Sequence, residues 1–296
     1  MQLSFLVTQF CGYSGFIKNY SRDTIRRYRH VIQLFVRDSR ITEAEEINSN
    51  VVRTWFYNGR AMRRWSACTF LTYHKTLKVF FRWCMREGHL HENPAEDIEL
   101  PKLEKKLPPK LTKQEALRIL ETAYNYPSDN VFVRCRNHAI FATLIFAGLR
   151  KQELLALKFA DVDVGNLSIF IRQGKGQKDR IVPMTPTLAD ILTRYLNERH
   201  RLGKTCPEFF TSFLNNSPFP DIELRRLIMR IRPASGIRFT AHMLRHTFAT
   251  LMLEGGCDIY SLSKMLGHTD IKTTTIYLAA SVEHLRAQMN KHPLNN

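Results

Sequence analysis

Six residues in the second half of the chain carry the side chains needed to break and remake a phosphodiester bond. They are Arg150, Lys175, His242, Arg245, His268 and Tyr277. Two guanidinium groups can hold a phosphate through paired hydrogen bonds, and a lysine can protonate a departing oxygen. A phenol, with an ordinary pKa of about 10, can attack phosphorus when positive neighbours or a base assist it. The ordered set predicts phosphoryl transfer through a tyrosine, although no member is specific by itself.

The predicted ends of three helices would hold these side chains in place. Thr240 is an expected N-cap for the helix that carries the first histidine and second arginine, which would then share one face of its first turn. The amide donors and dipole of such a helix start favour a phosphate. Asp258 can cap a short helix that ends at Gly267, so the ring of His268 would be fixed by a tight turn. Asp270 can cap the helix of the tyrosine.

The same residues allow other interpretations. His242 and His246 have the i, i+4 spacing of a zinc pair, but no glutamate lies between them and Arg245 would place a cation beside the metal. We therefore expect no metal, and we expect His246 to be a structural partner for backbone or side chain. Taken alone, Tyr277 would be a core aromatic residue and the glycine-flanked Lys175 an exposed loop residue.

The balance of charge indicates a polyanionic partner. The chain has 44 Lys and Arg against 27 Asp and Glu, a formal net charge of +17. Its most apolar run, 140–149, is shorter than the roughly 20 residues that span a bilayer, and the first residues lack a signal-peptide pattern. The six cysteines form no Cys-x-x-Cys pair and are typical of small hydrophobic residues in a reduced compartment. We expect a cytoplasmic protein without membrane contact.

A stretch rich in proline and lysine, 93–109, predicts a boundary between two domains, because its prolines forbid a continuous helix. The preceding domain, 1–103, is predicted to be wholly helical, with helices from Ser21, over 47–57 and over 66–86. An apolar stripe in the first of these helices would face its core, and consists of Ile25, Tyr28, Ile32 and Phe35.

Cationic side chains lie mostly off the apolar stripes of this domain and continue into the linker. We expect those that face away from the core to contact DNA phosphates, although solvation alone would also explain them. The predicted DNA-binding residues are Arg22, Arg26, Arg27, Arg29, Lys75, Lys78, Lys102, Lys105 and Lys106, and His74 is placed on the same face as Lys75 and Lys78.

The second domain, 104–296, is predicted to be mixed but mostly helical. Thr112 and Glu115 form a capping-box pattern. Alternating apolar residues predict two strands joined by the glycine-rich turn 174–178 as a β-hairpin. The strands are expected over 167–171 and 180–183. Helices are expected over 131–149, ending near Gly148, over 154–159 and 188–199, and from 221 onward. The chain as a whole is therefore expected to be mainly α-helical with a small β-hairpin or sheet.

With these residues in view, the chain resembles a tyrosine recombinase of the phage-integrase superfamily, and within it the short Xer-type members. The matching segments occur in the family's order. They are 148–153 (GLRKQE), 174–180 (GKGQKDR), 242–250 (HMLRHTFAT), 266–268 (LGH) and 275–277 (TIY).

The resemblance implies a clamp around duplex DNA, formed by a helical core-binding (SAM-like) domain, 1–103, and a catalytic domain, 104–296. It implies that Tyr277 attacks a phosphodiester to give a 3′-phosphotyrosine and a free 5′-hydroxyl. By the same resemblance, Arg150 and Arg245 would clamp the scissile phosphate, and Lys175 would be the general acid for the 5′-oxygen. The resemblance further implies that His242 takes part in proton transfer with the tyrosine, that His268 forms a hydrogen bond with the phosphate, and that Glu153 supports the first arginine. Neither ATP nor a metal is implied, because the covalent bond conserves the energy of the phosphodiester.

The resemblance also implies assembly. A helix over 281–292 would pack into a neighbouring subunit and link a homo-tetramer on DNA core sites. The expected activity is site-specific recombination through a Holliday junction, either resolving multimers or moving an integrated element, with or without an accessory protein or a second recombinase. A type IB-like topoisomerase and a non-enzymatic DNA-binding protein on the same scaffold stay open as alternatives.

Overall fold

The computed structural model describes residues 1–103, 109–172, 179–268 and 270–280. The chain divides between Lys105 and Lys106 into two compact units, an N-terminal and a C-terminal one. The expected boundary after residue 103 lies close to this division. Of the positions predicted to matter, Lys105, Lys106, Lys175 and the helix over 281–292 lie outside the described residues.

The described part of the N-terminal unit contains four α-helices. They are α1 (Leu3–Phe16), α2 (Arg22–Ser39), α3 (Ser49–Ala61) and α4 (Ala67–Arg86). Ser21 caps α2 as predicted, and Ser66 caps α4. Each accepts a hydrogen bond from a backbone amide of the first turn. The core of this unit includes Ile32 and Phe35 of the predicted stripe, both fully buried. Helix α1 was not predicted from the sequence.

His74 was placed on the cationic face of α4, and this is wrong. Its side chain is only 4% exposed, and its Nε2 lies 2.8 Å from the carbonyl oxygen of Ala95. The ring therefore ties α4 to the turn that follows it, while Lys75 remains exposed. Because a helical residue can satisfy a polar atom through a distant backbone group, its face cannot be read from polarity alone.

The described part of the C-terminal unit consists of eight α-helices and one small sheet. The helices are α5 (Lys113–Asn125), α6 (Val131–Phe146), α7 (Lys151–Ala156), α8 (Pro186–Arg201), α9 (Asp221–Ser235), α10 (Ala241–Glu254), α11 (Ile259–Leu266) and α12 (Lys272–Ala280). The strands are β1 (Val162–Asp163), β2 (Ser168–Ile171) and β3 (Arg180–Pro183). They form an antiparallel sheet in the order β1-β2-β3, with Ile169 opposite Val182. Thr112 and Glu115 form the expected capping box.

The helix predicted over 154–159 is placed too late. The observed helix α7 covers Lys151–Ala156, and a separate 3₁₀ turn, Phe159–Asp161, leads into the unpredicted strand β1. The chain turns here because Lys158 and Asp161 form their own capping interaction. The first half of the C-terminal unit is thereby split into shorter elements than the apolar pattern suggests.

Helix α6 forms the centre of the core of the C-terminal unit, with most of its residues buried between α5, α8 and α10. It ends at Phe146, close to Gly148 as predicted, because this glycine adopts a left-handed conformation with φ of +61°. A Cβ atom at this glycine would come within 2.2 Å of the Phe248 ring, so the turn also needs a residue without a side chain. This sharp turn delivers Arg150 directly to the start of α7. No helix among the described residues is long and apolar enough to cross a membrane.

Candidate active site

Five of the six residues predicted to act on a phosphodiester come together in the C-terminal unit, from four separate segments. Arg150 precedes α7, His242 and Arg245 lie in the first turns of α10, His268 follows α11, and Tyr277 lies on α12. We call these five residues the catalytic cluster. The sixth, Lys175, lies outside the described residues.

Arg245 is the most enclosed member of the catalytic cluster, with 2% of its side chain exposed. Its Nη1 donates to the carbonyl oxygen of Gly148 at 2.7 Å, and its Nη2 donates to that of Leu266 at 2.6 Å. Burial, followed by the repulsion of Arg150, lowers the pKa of Arg245 to about 10, so it still carries its charge near neutral pH. The guanidinium is thus a fixed positive charge held by two backbone carbonyl groups.

Arg150 is more open, with 24% of its side chain exposed, and it is held by Glu153 and by the turn after α11. Its Nη1 donates to Glu153 at 2.6 Å and its Nη2 donates to the carbonyl oxygen of Gly267 at 3.2 Å. The backbone amide of Arg150 also donates to Glu153, at 2.8 Å. The guanidinium is consequently oriented before any ligand binds, which lowers the entropic cost of binding a phosphate.

Arg180 belongs to this arrangement, although sequence analysis quoted it only as part of a motif. Its Nη1 and Nη2 donate to the two oxygens of Glu153 at 2.9 and 2.7 Å, and its Nε donates to the carbonyl oxygen of Met265 at 2.8 Å. Burial alone would raise the pKa of Glu153, but the hydrogen bonds and charge of Arg180, with those of Arg150, lower it to about 2. The carboxylate therefore stays ionised and joins strand β3 to helix α7. The basic residue at the end of the glycine-rich motif was the signal that could have identified it.

The turn after α11 is packed against Arg180. Gly267 has a φ of +64°, and a Cβ atom there would lie 2.9 Å from the Arg180 side chain. This left-handed glycine ends α11 as predicted and brings the next residue, His268, against Arg245.

The hydrogen bonds of His268 determine its tautomer. Its Nε2 lies 3.3 Å from Nη2 of Arg245, and a guanidinium can only donate, so Nε2 is the acceptor. The proton of the neutral ring is then on Nδ1, which donates to the hydroxyl oxygen of Thr274 at 2.7 Å. Thr274 is fully buried on α12. It therefore sets the orientation of the imidazole from the same helix that carries the tyrosine, and sequence analysis did not assign it this part.

Tyr277 is 2% exposed, and its hydroxyl lies 2.9 Å from Nδ1 of His246. His246 is also buried, whereas His242, one turn earlier on α10, is exposed with its ring 4.2 Å from that of His246. The prediction that His246 partners a side chain agrees with this contact, but the identity of the side chain was not foreseen. The histidine at hydrogen-bond distance from the tyrosine hydroxyl is thus His246, and not the one to which the resemblance assigns proton transfer.

The phenol of Tyr277 is protonated in this arrangement. Burial raises its pKa above the ordinary value of 10, while the charges of Arg245 and Arg150 act in the opposite direction without cancelling the effect. Burial and the same two arginines lower the pKa of His242, so an uncharged imidazole stands at the exposed side of the cluster near neutral pH. The cluster can therefore bind an anion, and the same charges would stabilise a phenolate as it forms.

Among the residues that the structure describes, no group of three or more His, Cys, Asp or Glu side chains is arranged to hold a metal ion. His242 and His246 are packed edge to face, with Arg245 between them in the sequence.

The N-terminal unit carries a basic cleft between α2 and α4. Four cationic residues line this cavity of about 510 Å³, namely Arg27, Lys75, Lys78 and Arg82. Three of them were predicted to bind DNA, and Arg82 was missed. Lys78 forms an ion pair with Glu96 at 2.6 Å, so its charge is partly compensated. Arg22, Arg26 and Arg29 are exposed on α2 but do not line the cleft, and Lys102 is exposed after α4.

Comparison with known proteins gives a consistent result along the chain. Residues 109–284 match the phage integrase family. The tyrosine recombinase XerC of Thermodesulfovibrio yellowstonii is 30% identical, over 98% of this chain and 97% of its own. The tyrosine recombinase XerA of Thermococcus onnurineus is 36% identical, over 73% of this chain and 72% of its own.

Solved structures agree with the sequence comparison. The crystal structure of the XerA recombinase has a TM-score of 0.55 at 29% identity and covers 97% of this chain and 98% of that one. The XerH site-specific recombinase, in a post-cleavage complex with palindromic difH substrate, has a TM-score of 0.74 at 23% identity and covers 96% of this chain and 83% of that one. The second likeness concerns the fold alone.

Proposed function

The chain belongs to the phage integrase family, and from this membership and the geometry of the catalytic cluster we propose how it acts on DNA. It is a tyrosine-type site-specific recombinase, an enzyme that cuts and rejoins DNA strands. The observation that carries the proposal is the convergence of Arg150, Arg245 and His268 on Tyr277, which places two fixed cations beside a buried phenol.

The proposed reaction begins when a scissile phosphate binds to the two guanidinium groups. Arg150 is pre-oriented by Glu153, and Arg245 can exchange part of its contact with His268 for a phosphate oxygen. The hydroxyl oxygen of Tyr277 attacks phosphorus and loses its proton, while the bond from phosphorus to the 5′-oxygen breaks. The products are a 3′-phosphotyrosine and a 5′-hydroxyl. The arginines stabilise the charge that develops on the phosphate.

Proton transfer in this proposal follows the family. His242, exposed and uncharged near neutral pH, would take part in proton transfer with the tyrosine. Lys175 would protonate the 5′-oxygen, a role that rests on the motif alone because the residue lies outside the described part of the chain. The 5′-hydroxyl of a partner strand then attacks the phosphotyrosine. A Holliday junction results, and no external energy source is required because each step exchanges one phosphoester for another.

DNA binding is proposed to involve both units. The basic cleft lined by Arg27, Lys75, Lys78 and Arg82 has the charge and the size to follow a phosphate backbone. The pairing of two units around core sites, assembly of a homo-tetramer through residues 281–292, the need for an accessory partner and a cytoplasmic location remain predictions. The same is true of the choice between multimer resolution and movement of an integrated element.

Covalent trapping tests the proposal. The protein is incubated in EDTA with nicked duplexes tiled from DNA that flanks its gene, and the products are separated under denaturing conditions. We expect an SDS-stable adduct on the 3′ side of the break, abolished by Tyr277→Phe with unchanged DNA affinity. Tyr260→Phe is the matched control, because Tyr260 is 61% exposed on the neighbouring helix α11. An adduct that survives Tyr277→Phe would contradict the proposal.

Two further outcomes would favour the alternatives. Tight binding of a duplex without any adduct would indicate a DNA-binding protein on the same scaffold. Relaxation of supercoiled DNA by a protein that stays monomeric on DNA would indicate a topoisomerase. Arg150→Lys should also form no adduct, because a lysine cannot make two parallel hydrogen bonds to a phosphate.

A further inference from the structure

The contact between Tyr277 and His246 has no role in the proposed reaction. Nδ1 of His246 and the hydroxyl of Tyr277 lie 2.9 Å apart, and their ring centroids lie 5.3 Å apart. Both side chains are buried, with 7% and 2% exposed. A hydrogen bond between two buried side chains from different helices fixes the position of both, because breaking it would leave two polar atoms without water.

The charge state of His246 makes it an acceptor and a poor base. Burial, and then the neighbouring His242 and Arg245, lower its pKa to about 4, so its ring is neutral at neutral pH. The phenol keeps its proton, since its pKa is raised. The contact is thus a bond between neutral groups. Moving the proton fully onto His246 would place a second cation beside Arg245, which burial disfavours.

The surrounding charges set the direction of this hydrogen bond. Arg245 and Arg150 are close enough to Tyr277 to act on its pKa, whereas His246 is uncharged. The lone pairs of the phenol oxygen are attracted toward the two cations, and its proton is repelled from them. The hydroxyl therefore donates to Nδ1 of His246, and the ring proton of His246 is on Nε2.

The backbone of His246 and the ring of Tyr277 each have further contacts. Thr250 donates to its carbonyl oxygen at 3.0 Å, one turn further along α10. The tyrosine is packed in a cluster that includes Phe248 and Leu253 from α10 and Leu266 from α11. Helix α10 thus supplies the second phosphate clamp, the exposed His242 and the partner of the nucleophile within two turns.

We propose that His246 is a positioning residue for the nucleophile, which accepts the hydrogen bond of Tyr277 and so directs the lone pairs of its oxygen toward the arginines that bind the phosphate. The inference rests on the proposed recombinase function, because it assigns Tyr277 as nucleophile. The two histidines of α10 then have different roles, since His242 lies at the exposed side of the catalytic cluster and His246 positions the phenol from its buried side.

Three substitutions at one position test the role. In His246→Asn the amide reaches the location of Nδ1, in His246→Gln it reaches the location of Nε2, and His246→Phe keeps an aromatic ring without a polar atom. We expect His246→Phe and His246→Gln to slow single-turnover adduct formation by about ten- to a hundredfold at saturating protein, the range for a misplaced reacting group. His246→Asn should retain most of the rate, and DNA affinity should stay unchanged in all three. The control is His200→Phe, an exposed histidine on α8.

A second measurement follows the hydrogen bond without DNA. The protein is labelled with ¹³C at Cζ of tyrosine, and the resonance of Tyr277 is assigned by its loss in Tyr277→Phe. We expect His246→Phe and His246→Gln to shift this resonance, because the hydroxyl loses its acceptor, and His246→Asn to leave it close to its original position.

The rates and the resonance together distinguish a positioning role for His246 from a role as base. An unchanged rate and resonance in His246→Phe, or a His246→Asn variant as slow as His246→Phe, would overturn the positioning role. A slow His246→Asn variant with an intact resonance would instead assign His246 as the base. If the wild-type protein forms no adduct, the recombinase function itself fails, while the resonance still decides whether the hydrogen bond exists.

Discussion

Replacing Glu153 by glutamine should destabilise the C-terminal unit in a way that depends on pH. The carboxylate is 7% exposed and lies between Arg150 and Arg180, with Arg245 at 3.8 Å. Its pKa falls from the ordinary 4.5 to about 2. A tenfold change in proton affinity corresponds to about 1.4 kcal/mol, so the charge of Glu153 stabilises the folded state by about 3 kcal/mol at neutral pH.

The sign of the pH dependence follows from the direction of this change. Above pH 4.5 the carboxylate is ionised in both folded and unfolded chains, and its contribution is complete. As the pH falls below 4.5 the unfolded chain binds the proton first, and the contribution is lost as the pH approaches 2. A glutamine does not titrate. The difference in free energy of unfolding between wild type and Glu153→Gln should therefore shrink as the solution is acidified.

Urea unfolding of the full chain, repeated from about pH 7 to about pH 3, measures this difference. Glu121→Gln is the control, because Glu121 is exposed on α5 and its replacement should change little at any pH. A difference that stays constant over this range would refute the reasoning. So would a Glu153→Gln protein as stable as wild type at neutral pH, since the arginines would then not depend on the carboxylate.

Three further predictions concern the neighbours of the catalytic cluster. Gly267→Ala should lower the free energy of unfolding by about 1–3 kcal/mol and slow adduct formation, because a Cβ atom would meet the Arg180 side chain and φ is positive. Urea unfolding and covalent trapping measure the two effects, and a variant as stable as wild type would contradict the prediction. Thr274→Val removes the acceptor of the His268 Nδ1 proton and should slow single-turnover cleavage without changing DNA affinity, so weakened binding with normal cleavage would be the opposing result. Lys75→Gln should weaken DNA binding and reduce the slope of log affinity against log salt by about 1, and an unchanged slope in a binding titration would exclude a phosphate contact.

Much of the catalytic cluster could be predicted from the sequence because its components are local. The N-caps Thr240 and Asp258 begin the helices beside the cluster, and their side chains accept from amides of the first turn, a contact that depends only on nearby spacing. Gly267 is recognisable because a helix that must end in a left-handed turn favours glycine. The order of the motifs identified the family, and the excess of positive charge predicted a polyanionic partner.

The missed features are those that join segments far apart in the chain. Arg180 contacts Glu153 across 27 residues, and Tyr277 contacts His246 across 31. His74 satisfies its ring nitrogen on Ala95, so a residue that looks like part of a cationic face belongs to the core. Helix α1 is an exception, because its buried residues recur at helical spacing and the sequence therefore carried an amphipathic signal that the prediction missed. These residues are Leu3, Leu6, Val7, Phe10 and Cys11.

The sequence by itself thus determined which chemical groups are present, in which order, and which helix ends present them. Only the tertiary structure decided which of two histidines, one turn apart on α10, contacts the hydroxyl of Tyr277 and which stays exposed. The reason is physical: capping and turn formation depend on a few neighbouring residues, whereas the partner of a buried phenol depends on how α10 and α12 pack together. That packing is determined by the apolar residues of both helices and of α11, and no single residue encodes it.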